Sequence, residues 1–174
     1  MKKILKYLAV IFALFFANPT SAIEPNSEFS RTSISVGVVV EDLNKSIDFY
    51  TKVVGMVVIR DLFVDSAKAK RMGLTKGETL SIKVLKLENV ENATEIKLLS
   101  YGKKTKLSKQ TSVSDANGIR YLTIFVKSLK PLLDRIAKNG IKTLGETPTM
   151  LDAKRQFVLI QDPDGNFVEF ISAE

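Results

Sequence analysis

Apolar and polar residues alternate from residue 34 onward and then recur at helical spacing. Even-numbered positions over residues 34–40 are apolar, and odd-numbered positions over residues 35–41 include serine, glycine and glutamate, as in a half-buried strand. The next segment places its apolar residues on one stripe of a helix: Leu43, Ile47, Tyr50 and Val54. Asp42 stands at the N-cap position, and Gly55 follows the helix. The pattern predicts a strand that leads into a capped helix.

The same pattern returns 86 residues later, where residues 121–129 repeat residues 35–43. The second helix, which ends at Gly140, is one residue shorter between its leucine and its glycine. Three further strands are expected after each helix, at 56–60, 79–87 and 94–101 and again at 141–144, 155–161 and 166–172, with a short helix at 66–72. A fixed offset indicates an internal repeat, so we predict an α+β protein of two βαβββ modules.

The first 22 residues have the pattern of a secretory signal peptide. Three lysines precede an apolar run over residues 8–17, and small residues occupy positions 20–22. Ten apolar residues in a helix span about 15 Å, half of a bilayer core of about 30 Å. We therefore expect cleavage after Ala22, no stable membrane anchor, and a periplasmic or secreted protein.

The remaining chain is expected to hold one domain. A lead-in at 23–33 precedes the domain at 34–174, in which module one (34–101) and module two (119–174) are joined by a linker at 102–118. The second pair of strands in module two is joined by Asp162-Pro163-Asp164-Gly165, in which proline fixes φ and glycine takes the positive-φ position. We interpret that turn as structural.

Charge and composition exclude several kinds of site. The net charge of +7 falls to +4 on removal of the first 22 residues, which contain three lysines and no acidic residue. The lysines at 103, 104, 106 and 109 lie in the polar linker without interleaved aromatic residues, which indicates solvated linker and no nucleic acid partner. The chain has no histidine and no cysteine, which excludes disulfides and both imidazole and thiolate metal ligands.

Two phrases, 41–56 and 162–170, resemble the vicinal oxygen chelate superfamily, which includes glyoxalase I, extradiol dioxygenases, methylmalonyl-CoA epimerase and the bleomycin-resistance proteins. The first runs from Glu41-Asp42-Leu43 through Phe49-Tyr50 to Gly55-Met56, and the second from Asp162-Pro163-Asp164-Gly165 to Phe170. The resemblance implies an open, curved, eight-stranded mixed sheet around a cleft, with both helices on its outer face. One fold hosts many reactions, so it implies less about activity.

In metal-using relatives a divalent ion is held by residues of the first and last strand of each module. The first-strand position, usually histidine, is Ser35 in module one and Tyr121 in module two, and the last-strand position, usually glutamate, is Lys97 and Glu169. One carboxylate with a hydroxyl and a phenol provides too few donors for zinc, iron or nickel, and Lys97 would repel a cation. We therefore expect no metal and no other cofactor.

Several roles stay open for the cleft candidates. Lys97 and Glu169 either form an ion pair or lie solvated at an open rim. Tyr121 either donates its phenol to a ligand or, as we favour, fills the cavity with its ring. Ser35 is better read as a small space-filler than as a nucleophile, because no histidine activates it, although activation by Lys97 is conceivable.

Two further candidates lie outside the four family positions, and no catalytic residue can be named. Arg155 either meets an anionic ligand or lies at the surface, and Phe63 is an apolar candidate in the variable stretch 61–78. The preferred function is an exported, metal-free protein that binds a small neutral or anionic organic molecule in the cleft. A metal-dependent lyase, isomerase or dioxygenase with an atypical ligand set is the alternative, and a structural or interaction protein with a filled cleft is a third. A homodimer, with or without exchange of modules, stays open.

Overall fold

Strands and helices follow one another in the order that the repeated pattern predicts. The computed structural model describes residues 28–103 and 110–173. Module one consists of β1 (Ser35–Val39), α1 (Leu43–Asp48), a π-helical segment (Phe49–Val54), β2 (Val57–Val64), α2 (Ser66–Arg71), β3 (Leu80–Lys86) and β4 (Glu95–Ser100). Module two consists of β5 (Tyr121–Val126), α3 (Lys130–Lys138), β6 (Thr143–Met150), β7 (Gln156–Gln161) and β8 (Phe167–Ser172). The predicted elements are confirmed, and β2 and β6 are longer than expected.

The eight strands form two open, mixed sheets of four strands each. Their orders are β1-β4-β3-β2 and β5-β8-β7-β6. In each module the first strand runs parallel to the last, and the other neighbours are antiparallel. The edge strands β1 and β5 face each other across a groove of about 300 Å³ that residues 36–39 and 119–122 help to line. The α+β fold of two βαβββ modules is thus confirmed, with hydrogen-bonded ladders inside each module.

One apolar core packs α1, the π-helical segment and α3 against both sheets, and a smaller apolar cluster packs Ala69 of α2 against Leu80, Ile82 and Val84 of β3. The apolar even-numbered residues of β1, β4, β5 and β8 contact the larger core together with residues of α1, the π-helical segment and α3. Val168 and Phe170 of β8 are fully buried there, and so is Leu98 of β4. The predicted strand faces are therefore confirmed, since a register shift of one residue would have turned these side chains to the other face.

The first helix contains one residue more than its counterpart and absorbs it as a π-helical turn. Asp42 caps α1 as predicted, accepting hydrogen bonds from the amides of Asn44 and Lys45 at 3.1 Å. Further on, the amide of Gly55 donates to the carbonyl of Tyr50, five residues earlier. Gly55 has φ +95°, a conformation that suits glycine, and ends the segment.

Side chains from each module bind the other along a seam beside the helices. Arg135 of α3 donates from Nε to the carbonyl of Val53 at 2.8 Å and from Nη2 to that of Val54 at 3.2 Å. Tyr50 donates to Oδ2 of Asp162 at 3.0 Å, and both side chains are buried. Burial, followed by the charge of Asp162, raises the pKa of Tyr50 above its ordinary range. Burial also raises the pKa of Asp162.

The turn after β7 completes this seam, which agrees with its interpretation as structural. Oδ1 of Asp162 accepts the amides of Asp164 and Asn166 at 3.0 and 2.8 Å. Asp164 in turn accepts the amide of Glu41 at 2.8 Å and the hydroxyl of Ser46 at 3.2 Å. The turn thus holds the beginning of the first module's helix.

The expected signal peptide and its cleavage after Ala22 lie outside the described residues. The unit Ser33–Glu174 contains every helix and strand of the described chain. In the ranges 28–103 and 110–173, no helix has the length and apolar character needed to cross a membrane.

Candidate functional site

The candidate site lies on the face of each sheet opposite α1 and α3, which we call the cleft face. Alternation places the odd-numbered residues of the first and last strands there, because their even-numbered neighbours contact the helix-side core. Four of the six predicted candidates belong to this set: Ser35, Lys97, Tyr121 and Glu169. The site therefore contains the positions that the family resemblance selected.

Ser35 belongs to a polar cluster that contains a buried carboxylate. Its hydroxyl donates to Oε2 of Glu95 at 3.0 Å, and Nη2 of Arg60 donates to Oε1 of the same carboxylate at 2.9 Å. Glu95 is only 2% exposed, so these donors offset part of its lost hydration. Ser35 thus helps to orient the ion pair of Arg60 and Glu95, a role beyond the space-filling one that the sequence indicated.

Lys97 lies in the middle of a row that crosses the first sheet. Its neighbour on β1 is Gly37, its neighbour on β3 is Val84, and Arg60 of β2 follows on the far side of Val84. Lys97 is partly buried, yet none of the ion pairs found over residues 28–103 and 110–173 includes it. The row therefore carries two cations, of which only Arg60 is paired.

Glu169 occupies the position in module two that Lys97 occupies in module one. Its Oε1 accepts a hydrogen bond from the hydroxyl of Thr123, the residue beside it on β5. Glu169 and Lys97 do not meet in an ion pair among the described residues. The described hydrogen bond of Glu169 thus stays within its own module.

Module two presents aromatic side chains on the cleft face. Tyr121 is 48% exposed and Phe125 is 72% exposed, whereas Phe167 between β5 and β7 is buried. The guanidinium of Arg120 lies over the ring of Phe167, 5.8 Å from its centroid, and is anchored to the carbonyl of Val113. Arg120, held by the linker carbonyl, therefore covers the ring of Phe167, while the rings of Tyr121 and Phe125 are open.

Arg155 lies at one end of this aromatic surface. It helps to line a groove of about 340 Å³ together with Phe125 and Ile171. Its Nε donates to Oδ2 of Asp152 at 2.7 Å. The backbone amides of Lys154 and Arg155 lower the pKa of Asp152 to about 2, so this carboxylate stays charged and holds Arg155 at the rim.

A β-bulge decides which residues of β2 reach the cleft face. Pairing with β3 shifts between Val58 and Arg60, so that Arg60 faces Val84 and Phe63 faces Ser81. Phe63, 69% exposed, therefore lies on the helix side and does not join the other candidates. Sequence reasoning missed Arg60 and Glu95, although Glu95 stands two residues before Lys97 on the same strand and could have been found from that spacing.

Family comparison agrees with this geometry. A model of the Glyoxalase/Bleomycin resistance protein/Dioxygenase superfamily matches residues 33–170. The chain belongs to this superfamily. Among curated proteins no sequence matches the chain.

Solved members of the superfamily have the same fold at low sequence identity. A glyoxalase family protein from Bacillus cereus matches with a TM-score of 0.67 and 18% identity over 87% of this chain and 98% of its own. Glyoxalase I from Zea mays matches with a TM-score of 0.60 and 22% identity over 79% of this chain and 43% of its own. The trypanothione-dependent glyoxalase I of Leishmania major matches with a TM-score of 0.55 and 21% identity over 83% and 88%. These likenesses establish the fold alone.

The donor set does not fit the metal of the superfamily's metal-using members. Its four positions hold a hydroxyl bound to Glu95, a phenol, an ammonium and one carboxylate. Over residues 28–103 and 110–173, no three carboxylate, imidazole or thiol side chains are grouped so that they could hold a metal ion. Zinc, iron and nickel prefer nitrogen or sulfur ligands, and a hard cation that accepts oxygen would meet Lys97.

Proposed function

We propose that this superfamily member is an exported, metal-free binding protein that holds a small organic molecule on its cleft face. The observation that carries the proposal is the pair of exposed aromatic rings, Tyr121 and Phe125, on the cleft face of β5, with the exposed Val39 in the same groove as Tyr121. Large apolar side chains grouped on one exposed surface commonly mark a binding site. The groove between β1 and β5 gives a small molecule a place beside Tyr121, and the groove that Arg155 helps to line gives it one beside Phe125.

A binding role accounts for the chemistry of the cleft better than catalysis does. The hydroxyl of Ser35 is hydrogen-bonded to a carboxylate that Arg60 also binds, and the chain has no histidine to serve as a general base. Tyr121 is exposed, so its ring has a surface for a ligand in addition to its phenol. Elemental analysis of the purified protein tests the metal-free state. Stoichiometric zinc, iron, nickel or manganese that is lost in Glu169→Gln would favour the enzyme alternative.

Export is supported by the first 22 residues, whose lysines and apolar run have the pattern of a signal peptide. Amino-terminal sequencing of the protein recovered from the native compartment should begin at Ile23. Recovery of intact Met1 on membrane-bound material would contradict export and cleavage.

Binding can be tested with 1-naphthylmethanol, an uncharged aromatic probe. The chain has no tryptophan, so naphthalene fluorescence is free of indole background. We expect saturable binding that Phe125→Ser weakens by about 3- to 10-fold, since an aromatic contact contributes about 0.5–1.5 kcal/mol. Phe63→Ser is the matched control, because Phe63 is 69% exposed against 72% for Phe125 and lies on the opposite face.

The outcome separates a binding surface from an interface between copies of the chain. Equal affinity in Phe125→Ser and the wild type, or no saturable binding, would contradict the proposal. Size-exclusion chromatography at the same concentrations tests the homodimer: if Phe125→Ser dissociates a dimer without changing probe affinity, the exposed rings serve association and not ligand binding.

A further inference from the structure

We propose that the row of Arg60, Val84, Lys97 and Gly37, the Arg60–Lys97 row, binds the anionic group of the ligand, specifically a carboxylate. This inference rests on the proposed binding function and names its ligand class. Each residue of the row is paired with the next across β2, β3, β4 and β1 on the cleft face.

Lys97 provides the first part of the argument. Its side chain is partly buried, and the ion pairs of the described residues leave it out. Loss of hydration penalises a charged group unless a partner replaces the water. Lys86, the other lysine on this face, differs because its ammonium donates to the carbonyls of Val90 and Glu91 at 2.8 and 3.0 Å. Lys97 is therefore a cation of this face whose ammonium is left for a ligand.

Arg60 provides a second donor that is already held in place. One of its terminal nitrogens binds Glu95, which is fixed by burial and by Ser35. The guanidinium has five N–H donors, and the side chain of Arg60 is 44% exposed, so donors remain for an anion. A guanidinium whose position is fixed loses less conformational entropy when it binds a carboxylate.

The spacing of the row suits one carboxylate. Arg60 and Lys97 are two strands apart, which separates their Cα atoms by about 10 Å and lets two long side chains converge on one group. Val84 between them is buried in an apolar cluster with Ala69 of α2, so an anion would contact the ends of the two long side chains, and Gly37 has no side chain to cover Lys97 from β1.

The proposal can be tested by comparing 1-naphthoate with 1-naphthylmethanol, which have the same ring and differ in charge. We expect naphthoate to bind about 10-fold more tightly, the value of one charge-assisted hydrogen bond. Lys97→Met should lower naphthoate affinity about 10-fold and change naphthylmethanol affinity less than about 2-fold. Lys83→Met is the control, since Lys83 of β3 faces Leu98 on the helix side and pairs with Asp61.

Arg60 needs a variant that does not remove only the positive member of its ion pair with Glu95. The double change Arg60→Met with Glu95→Gln removes one charge of each sign, so the net charge of the row is preserved. If naphthoate binds this variant more weakly, the loss comes from the hydrogen bonds of the guanidinium, because the net charge is unchanged. Thermal unfolding of each variant verifies that it is folded before its affinity is compared.

Each outcome decides between the proposals. If naphthylmethanol binds but naphthoate binds no more tightly, or if both Lys97→Met and the double variant keep the preference, the carboxylate site is wrong while the binding function stands. If neither probe binds, both proposals are contradicted. A preference that Lys83→Met abolishes equally would place the anion outside the row.

Discussion

The two modules place opposite chemistry at equivalent positions of the same fold. Where module one pairs Ser35 with Glu95, module two pairs Tyr121 with Phe167. The first pair forms a charged cluster with Arg60, and the second forms an aromatic surface. Equivalent backbone positions therefore supply charge in one module and apolar contact in the other.

The next pair along the strands continues this contrast. Gly37 and Lys97 in module one correspond to Thr123 and Glu169 in module two. Glu169 has a hydrogen-bond partner inside its own module, whereas Lys97 has no ion pair among the described residues. The comparison teaches that a duplicated scaffold can divide recognition, with one half suited to an anion and the other to a ring.

The largest effect on stability is expected from Phe167, in the aromatic pair of module two. Phe167→Ala should destabilise the protein by about 3–4 kcal/mol, because it removes a buried ring and leaves a cavity. Tyr121→Ala, at the paired but 48% exposed position, should cost under about 1 kcal/mol. Urea unfolding of both variants measures the difference, and similar costs would show that Phe167 is not a core residue.

The ion pair of Arg60 and Glu95 in module one should give the next largest effect. Arg60→Met removes the described ion pair of the buried Glu95 and should cost about 2 kcal/mol, less than for a fully buried pair because Arg60 is partly exposed. Adding Glu95→Gln should recover much of the loss, as urea unfolding of the single and double variants will show. Lys83→Met is the control and should cost under about 1 kcal/mol, since Asp61 is exposed. A full loss that persists in the double variant would contradict the paired arrangement.

The seam between the modules gives a pH-dependent prediction. Burial raises the pKa of Asp162 above its ordinary 3.8, and the hydrogen bond from Tyr50 opposes that rise. A carboxyl with a raised folded-state pKa contributes stability below its unfolded pKa and loses it as the pH rises through the folded value. Tyr50→Phe should raise this pKa further.

Tyr50→Phe should therefore cost about 1–2 kcal/mol at neutral pH and less at about pH 4, where Asp162 is closer to protonated. Urea unfolding at both pH values checks the sign. Equal penalties at both pH values would mean that Tyr50 does not interact with a charged Asp162.

The smallest effect is expected for Lys97. Lys97→Met should change the free energy of unfolding by under about 1 kcal/mol, since no ion pair of the described residues is broken. The same change should lower naphthoate affinity. Measuring both the free energy of unfolding and the naphthoate affinity of Lys97→Met tests whether the lysine serves binding and not stability. A loss of about 3 kcal/mol would restore the alternative in which Lys97 and Glu169 pair in a desolvated cleft.

Alternation and repetition along the chain predicted the fold and most of the cleft face. Because side chains of a strand point alternately to its two faces, the burial of Leu98 implied that Lys97 faces the other way. The same argument placed Tyr121 and Glu169. These predictions need only the residue type and its parity within one strand.

Arg60 and Phe63 show where that argument ends. Alternation alone would place Arg60 on the same face as Val58, but the bulge between them reverses the faces of the residues that follow. The face of Glu95 could have been predicted from its spacing to Lys97, but its partnership with Ser35 depends on the stagger of a parallel pair, which the residues of either strand do not specify.

The extra residue in the first helix makes the contacts between the two modules specific. The π-helical turn presents Tyr50 to Asp162, whereas Ile136 stands 86 residues after Tyr50 in α3. The β3–β4 connection of module one has no Asp-Pro-Asp-Gly turn, so two first modules placed together would leave the phenol of Tyr50 without its carboxylate. The seam thus selects a first module for a second, and this selectivity is the same whether the two belong to one chain or to two.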